Sequence, residues 1–291
     1  MDRLHTAMVA VNFDVAANLR MCIKRFNTSK PSPGLNSKVK SAANWTDKSQ
    51  NRTDKVDDMC TQKQEMGIYL AATPLCDCDD LELRRKANEI IEGANIPGEK
   101  AKKVFYFIRD EIRFSLAFSR TKASQTLKRR YGDCSSKSNL HVALLRAVGI
   151  PARLHWVKAK SSALHGLVLN SLYKRMPSTA SHFWTECHIG DEWISCEAFL
   201  DKTLYEGMLR EGLINKKLVP TIDWDGKTDL VVLAPWIVEN CGSLSSVDEA
   251  LEELQYGEEG MPPVWIERII APIFYPLNLR TSDRIRQLAR R

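Results

Sequence analysis

The sequence predicts an α+β protein, with helices first and an antiparallel sheet after them. Three observations carry this. Two segments before residue 115 repeat apolar residues at helical spacing, and a third helical segment starts at a turn with Cys134 at the break. Beyond Arg153 the pattern shifts to period two, and Gly190-Asp191 is placed as a two-residue hairpin turn. On this reading the ordered body starts near Gly67. The chain divides into an N-terminal extension (1–64, partly flexible), a core (65–215), and a C-terminal extension (216–291) packed on that core.

Taken in order, Ala7 to Phe26 is weakly apolar, and Asn27 to Gln64 is rich in Ser, Asn, Lys and Asp with little to bury. Gly67 to Leu70 reads as a short strand. Asp79 with Glu82 forms a capping-box pattern ahead of Leu83, Ala87, Ile90 and Ile91, and Gly93 closes that helix. A second helix is expected from about Glu99 to Phe114. Its stripe is Ala101, Val104, Phe105, Ile108 and Ile112, with Lys102, Lys103, Arg109 and Asp110 facing water. Ala123 to Arg130 leads into the third helix, Ser135 to Val148, where Leu140, Leu144, Leu145 and Val148 recur. Gly149 suits a left-handed C-terminal residue there, and Pro151 forbids continuation.

Arg153 to Val157, Leu164 to Asn170, His182 to Ile189 and Glu192 to Phe199 read as strands. Lys202 to Arg210 reads as a helix with Gly212 behind it, and Ser246 with Glu249 opens another that runs to about Leu254. The prolines between Pro262 and Pro276 predict an irregular apolar tail. Arg280 to Arg291 then forms a short helix capped by Thr281 or Ser282.

Composition excludes several classes of function. A chain of 291 residues with net charge +6 holds a sizeable core. Its basic residues are spread among acids except at Lys128-Arg129-Arg130 and Arg290-Arg291, so nucleic acid is not an expected partner. Met1 to Ala17 lacks the apolar run of a signal peptide, and no stretch reaches the roughly 18 apolar residues of a membrane span. Eight cysteines in such a chain read as free thiols of a reducing compartment, which places the protein in the cytoplasm. Cys76-Asp77-Cys78 has the wrong spacing for a zinc pair, and no metal or cofactor is required.

The chemistry points to Cys134. At a helix start, free amide donors and the positive end of the dipole favour a thiolate. A cysteine nucleophile needs a base, and the base needs an orienting acceptor. Of six histidines, His141 lies two turns inside the helix, too far along to reach back, while His155, His165 and His188 have no obvious partner. His182 opens the hairpin. Counting outward from Gly190-Asp191 puts Trp184 opposite Glu197 and His182 opposite Phe199, so these four share a face and His182 and Glu197 are diagonal neighbours. Asp201 has the same parity but lies past the strand end. Cys187 and Cys196 fall on the other face.

The motifs Gly132-Asp133-Cys134, Ala143 to Arg153, His182-Phe183-Trp184 and Trp193 to Glu197 occur in one order. Together they resemble the core of the transglutaminase-like superfamily, over roughly Leu81 to Leu204. The resemblance implies a papain-like fold and a triad, here Cys134, His182 and Glu197, with Glu197 where the family usually has Asp. It implies cysteine-dependent acyl transfer on a peptide, protein or small amide through a thioester, with water or an amine as acceptor. The alternative is a binding module that keeps the fold without turnover. Gln125 and Tyr131 are candidates for the oxyanion hole, and Trp184 for substrate positioning.

Overall fold

The computed structural model describes residues 66–116, 120–253 and 264–290, so the two opening pieces expected before Gln64 lie outside the described residues. One compact unit comprises Ile68–Gln255 with Pro263–Arg291. Its elements run α1 (Leu81–Ile90), α2 (Pro97–Glu111), β1 (Arg113–Phe114), α3 (Ala123–Arg129), β2 (Tyr131–Gly132) and α4 (Cys134–Ala147). These are followed by β3 (Ala152–Lys160), α5 (Asn170–Tyr173), β4 (Thr179–Ile189), β5 (Glu192–Ser195), α6 (Lys202–Arg210), β6 (Ile237–Leu244), α7 (Val247–Glu253) and α8 (Val264–Ala289). The sheet is antiparallel in the order β5-β4-β3-β6, while β1 and β2 form a separate parallel pair. Helices lead and the antiparallel sheet follows, which is the α+β arrangement the sequence predicts. Among the described residues no helix is long and apolar enough to cross a membrane.

Helix α4 is the centre of the unit. Every residue from Ser135 to Arg146 is buried, polar ones included, so each polar side chain needs a partner inside. Ser138 Oγ donates to Phe183 O (3.1 Å), and Asn139 Nδ2 donates to Leu75 O (2.9 Å). Arg146 donates to Ala152 O (2.9 Å), Ala71 O (2.6 Å) and Ser245 O. A helix buried on all sides thus fixes the loops around it. Gly149, at φ 80°, ends it as expected.

Several expectations are corrected. Gly67 to Leu70 forms a helical end and a turn rather than a strand. The cap of α1 is Asp80, whose side chain accepts from Leu83 N, not Asp79. Helix α2 stops at Glu111, because Arg113 and Phe114 pair with Tyr131 and Gly132. Arg109 does not face water: it is 4% exposed, bound to Asp110, Asp223 and Ile222 O, with its guanidinium 4.5 Å from the Tyr106 ring centroid. The expected strand Leu164 to Asn170 begins in a 3-10 turn, Ser161–Leu164, and ends in α5. Between them Gly166 takes φ 78°, which breaks an extended run.

Helix α8 overturns the irregular tail. A proline removes one helical hydrogen bond, but the ladder on either side of Pro272 and Pro276 continues, and tertiary anchors hold its second half. Ser282, expected as a cap, lies inside α8 and donates to Phe114 O (2.9 Å), and Thr281 donates back to Leu277 O. Arg286 donates to Asp201 (2.6 Å). Helices α6 and α8 touch at Gly207, where any Cβ would run into the Ile285 carbonyl.

Candidate active site

The strand β2 ends at Gly132, and a Cβ there would collide with Ser136 Oγ, so glycine is needed for the turn to close. Asp133 then caps α4. Its Oδ1 accepts from Ser136 N (2.8 Å), Ser136 Oγ (2.6 Å) and Ser135 Oγ (3.0 Å), and its own N–H donates to Ser136 Oγ (3.0 Å). This capping box makes Cys134 the first helical residue, where backbone amides have no partner within the helix. Cys134 is half-buried.

The ladder between β4 and β5 follows the counted register, Ile189 with Glu192 through Glu186 with Ser195, but it stops there. The expected strand to Phe199 is therefore too long. Cys196 N still donates to Thr185 O (2.8 Å), but Cys196 bridges to Leu230, and Glu197 N donates to Leu230 O (3.0 Å). Glu197 keeps its face and meets His182: Oε1 lies 2.8 Å from Nε2, and Oε2 accepts from Leu233 N (3.0 Å). Both side chains are buried. The Cys134 side chain also acts on the His182 imidazole. Burial alone would pull the imidazole down, but the Glu197 charge and the bonds to Cys134 and Glu197 push it up to about 10. The Phe199 ring packs nearly perpendicular to the imidazole, with ring centroids 5.3 Å apart.

A cavity of about 10 Å³, the space of a single water, lies beside Cys134 and is lined by Lys137, Ser138, His141, Phe183, Glu197 and Phe199 among others. Lys137 and His141 were not expected here. Lys137 sits one helical turn beyond Cys134, and its position on the buried stripe with His141 and Leu144 was the available signal. Among the described residues His141 Nε2 has no hydrogen-bond partner, and burial takes that imidazole down to about 3.

The other named residues lie elsewhere. Gln125 is exposed and caps α3, its Oε1 accepting from Lys122 N (3.3 Å). Tyr131 packs on Tyr275 and under the Arg129 guanidinium. Trp184 is buried, donates from Nε1 to Ser195 Oγ (3.1 Å) and stacks on His155 at 4.5 Å. None of the three lines the cavity. Asp201 caps α6 and holds Arg286, so it is engaged away from His182. Cys187 and Cys196 are buried, 3.9 Å apart.

Residues 84–198 match the Transglutaminase-like superfamily, in agreement with the resemblance carried by the motifs. No curated protein matches the chain. Among solved structures, the chain is similar to a putative cysteine protease from Cytophaga hutchinsonii, with 20% identity and TM-score 0.42, over 64% of this chain and 49% of that one. It is also similar to a putative protease from Parabacteroides distasonis, with 14% identity and TM-score 0.29, over 39% of this chain and 22% of that one. The matched part of this chain thus spans about half the length of the first of these structures and less of the second.

Proposed function

We propose that the protein is a cysteine-dependent acyl-transfer enzyme acting on an amide or peptide. One observation carries this reading: a half-buried cysteine at a buried helix start acts on a histidine that a carboxylate holds at 2.8 Å. In the proposed reaction the Cys134 sulfur, as thiolate, attacks the carbonyl carbon and forms a C–S bond. The carbonyl electron pair moves to oxygen, where the Cys134 N–H, free at the helix start, is one donor. Collapse breaks the C–N bond while protonated His182 gives its proton to the leaving nitrogen. His182 then takes a proton from water or an amine, which attacks the thioester and releases sulfur. Glu197 holds the imidazole throughout, and its second oxygen is fixed by Leu233 N.

The surrounding thiols suit this role less well. Burial pushes Cys76 up to about 12 and raises Cys78, Cys196 and Cys241 as well. Competitive alkylation of the full chain near neutral pH, with site mapping, is therefore expected to label Cys134 first. Intact mass after incubation with peptide or amide substrates should show an acyl adduct on Cys134. The water-sized cavity favours a second reading, a binding module without turnover. A Cys134 that resists alkylation and carries no adduct decides for that module.

A further inference from the structure

Lys137 is a buried cation that the proposed chemistry does not use. It lies at i+3 from Cys134 on α4, so the two side chains share a helix face, and both line the cavity with Glu197. The residue is 2% exposed, and Nζ donates to Phe199 O at 3.1 Å. Among the described residues it makes no ion pair. A carbonyl is served equally by a neutral donor, and burying an ammonium for one such bond is costly. The position of Lys137 is explained if its charge is used.

We propose that Lys137 is a positioning residue for the nucleophile: its ammonium, held by the Phe199 carbonyl, puts a positive charge in the cavity wall and favours Cys134 as thiolate. This rests on the reading of Cys134 as nucleophile. Charged groups surround the lysine from several elements: Asp201 and Asp110 favour the ammonium, while Arg286 and Arg109 oppose it. His141, on α4 itself, is neutral through burial, and Glu197 is engaged by His182 and Leu233 N. Burial takes Lys137 down to about 7 against the pull of Asp201, so the charge is present below neutrality and fades above it. His182, raised to about 10, keeps its proton over that range, so a change near pH 7 belongs to Lys137.

The test compares the alkylation rate of Cys134 by iodoacetate, an anion, with that by iodoacetamide, which is neutral, from pH 5.5 to 9 in the full chain. The wild-type ratio should fall about fivefold through pH 7 as the ammonium is lost. Lys137→Met should give a low ratio that is flat through pH 7. Lys137→Arg, which keeps its charge, should give a high flat ratio and serves if the Met variant does not fold. A ratio in either variant that tracks the wild type across pH overturns the proposal while leaving Cys134 as nucleophile. A Cys134 slower than the other thiols overturns the nucleophile reading, and this proposal with it.

Discussion

One face of the sheet carries two His–Glu pairs, and they behave differently. His182 and Glu197 meet at 2.8 Å, and His155 and Glu186 meet at 2.9 Å across β3 and β4. In the first pair, among the described residues, the carboxylate has no cation besides the imidazole, its second oxygen taking a backbone N–H, and the histidine is also acted on by a thiol. In the second, Glu186 also accepts from Arg153 Nε (2.6 Å) and Ser243 Oγ (2.8 Å), and the far nitrogen of His155 faces Asn240 at 2.9 Å. The Glu186 charge is shared with a permanent cation, Arg153. A His–Glu pair alone does not make a reactive site. What the remaining atoms touch decides it.

The largest expected effect separates the pairs at once. Glu197→Gln keeps the shape but weakens the hold on His182, and turnover on an amide substrate should fall by a factor on the order of ten thousand, as in serine triads. Glu186→Gln should leave turnover nearly intact and instead lower stability by about 1–3 kcal/mol, because Arg153 loses its charged partner. Parallel kinetics and thermal melts on both variants check this. Equal losses of turnover would break the comparison. Asp201→Asn removes the carboxylate of a buried ion pair with Arg286, so a stability loss of about 3–5 kcal/mol is expected, with turnover per folded molecule reduced far less than by Glu197→Gln.

The pH dependence of stability sharpens the contrast, because the two signs are opposite. Burial opposes ionisation of Glu186, but bonds from His155, Arg153 and Ser243 outweigh it and bring the carboxyl down to about 2 from 4.5. Its stabilisation is therefore present above about 4.5 and lost as pH falls towards 2. His182 is raised from 6.5 to about 10, so its contribution is present below 6.5 and lost as pH rises towards 10. The Tm gap between wild type and Glu186→Gln should close in acid. The gap between wild type and His182→Gln should close in alkali, and a gap that closes at the same end for both would contradict the assignment.

What was legible in the sequence follows the range of the interactions. Helix α4 and the hairpin are local: apolar spacing with Gly149 and Pro151 bounds the first, and a two-residue turn sets the register of the second. Counting residues was therefore enough to put His182 and Glu197 on one face. The buried charges are not local. Lys137 reaches Phe199 across 62 residues, Asp201 reaches Arg286 across 85, and Arg109 reaches Asp223 across 114. Nothing within a helical turn of Arg109 marks it as buried, so its stripe position alone sent it to water. Helix α8 fails for the same reason, since the contacts that hold it to Phe114 and Asp201 outweigh the local break at its prolines.

The smallest expected effect tests whether the two pairs are independent, because Trp184 lies between them. Its ring stacks on His155 at 4.5 Å with an interplanar angle of 17°, and stands 6.2 Å from His182 at 41°. Trp184→Phe keeps an aromatic surface for both rings but deletes the Nε1 donor to Ser195 Oγ, a loss of about 1 kcal/mol. If the imidazole of His182 is positioned by Glu197 and the Phe199 ring, that variant should melt slightly lower and turn over within about threefold of wild type. If the indole couples the pairs, turnover should drop at least about tenfold with little change in Tm, since ring orientation rather than packing would be lost. The first outcome keeps the pairs separate, as their unlike partners imply. The second would make His155 and Glu186 part of the positioning of His182, and a Trp184→Phe, Glu186→Gln double variant would then lose less turnover than the two single losses multiplied.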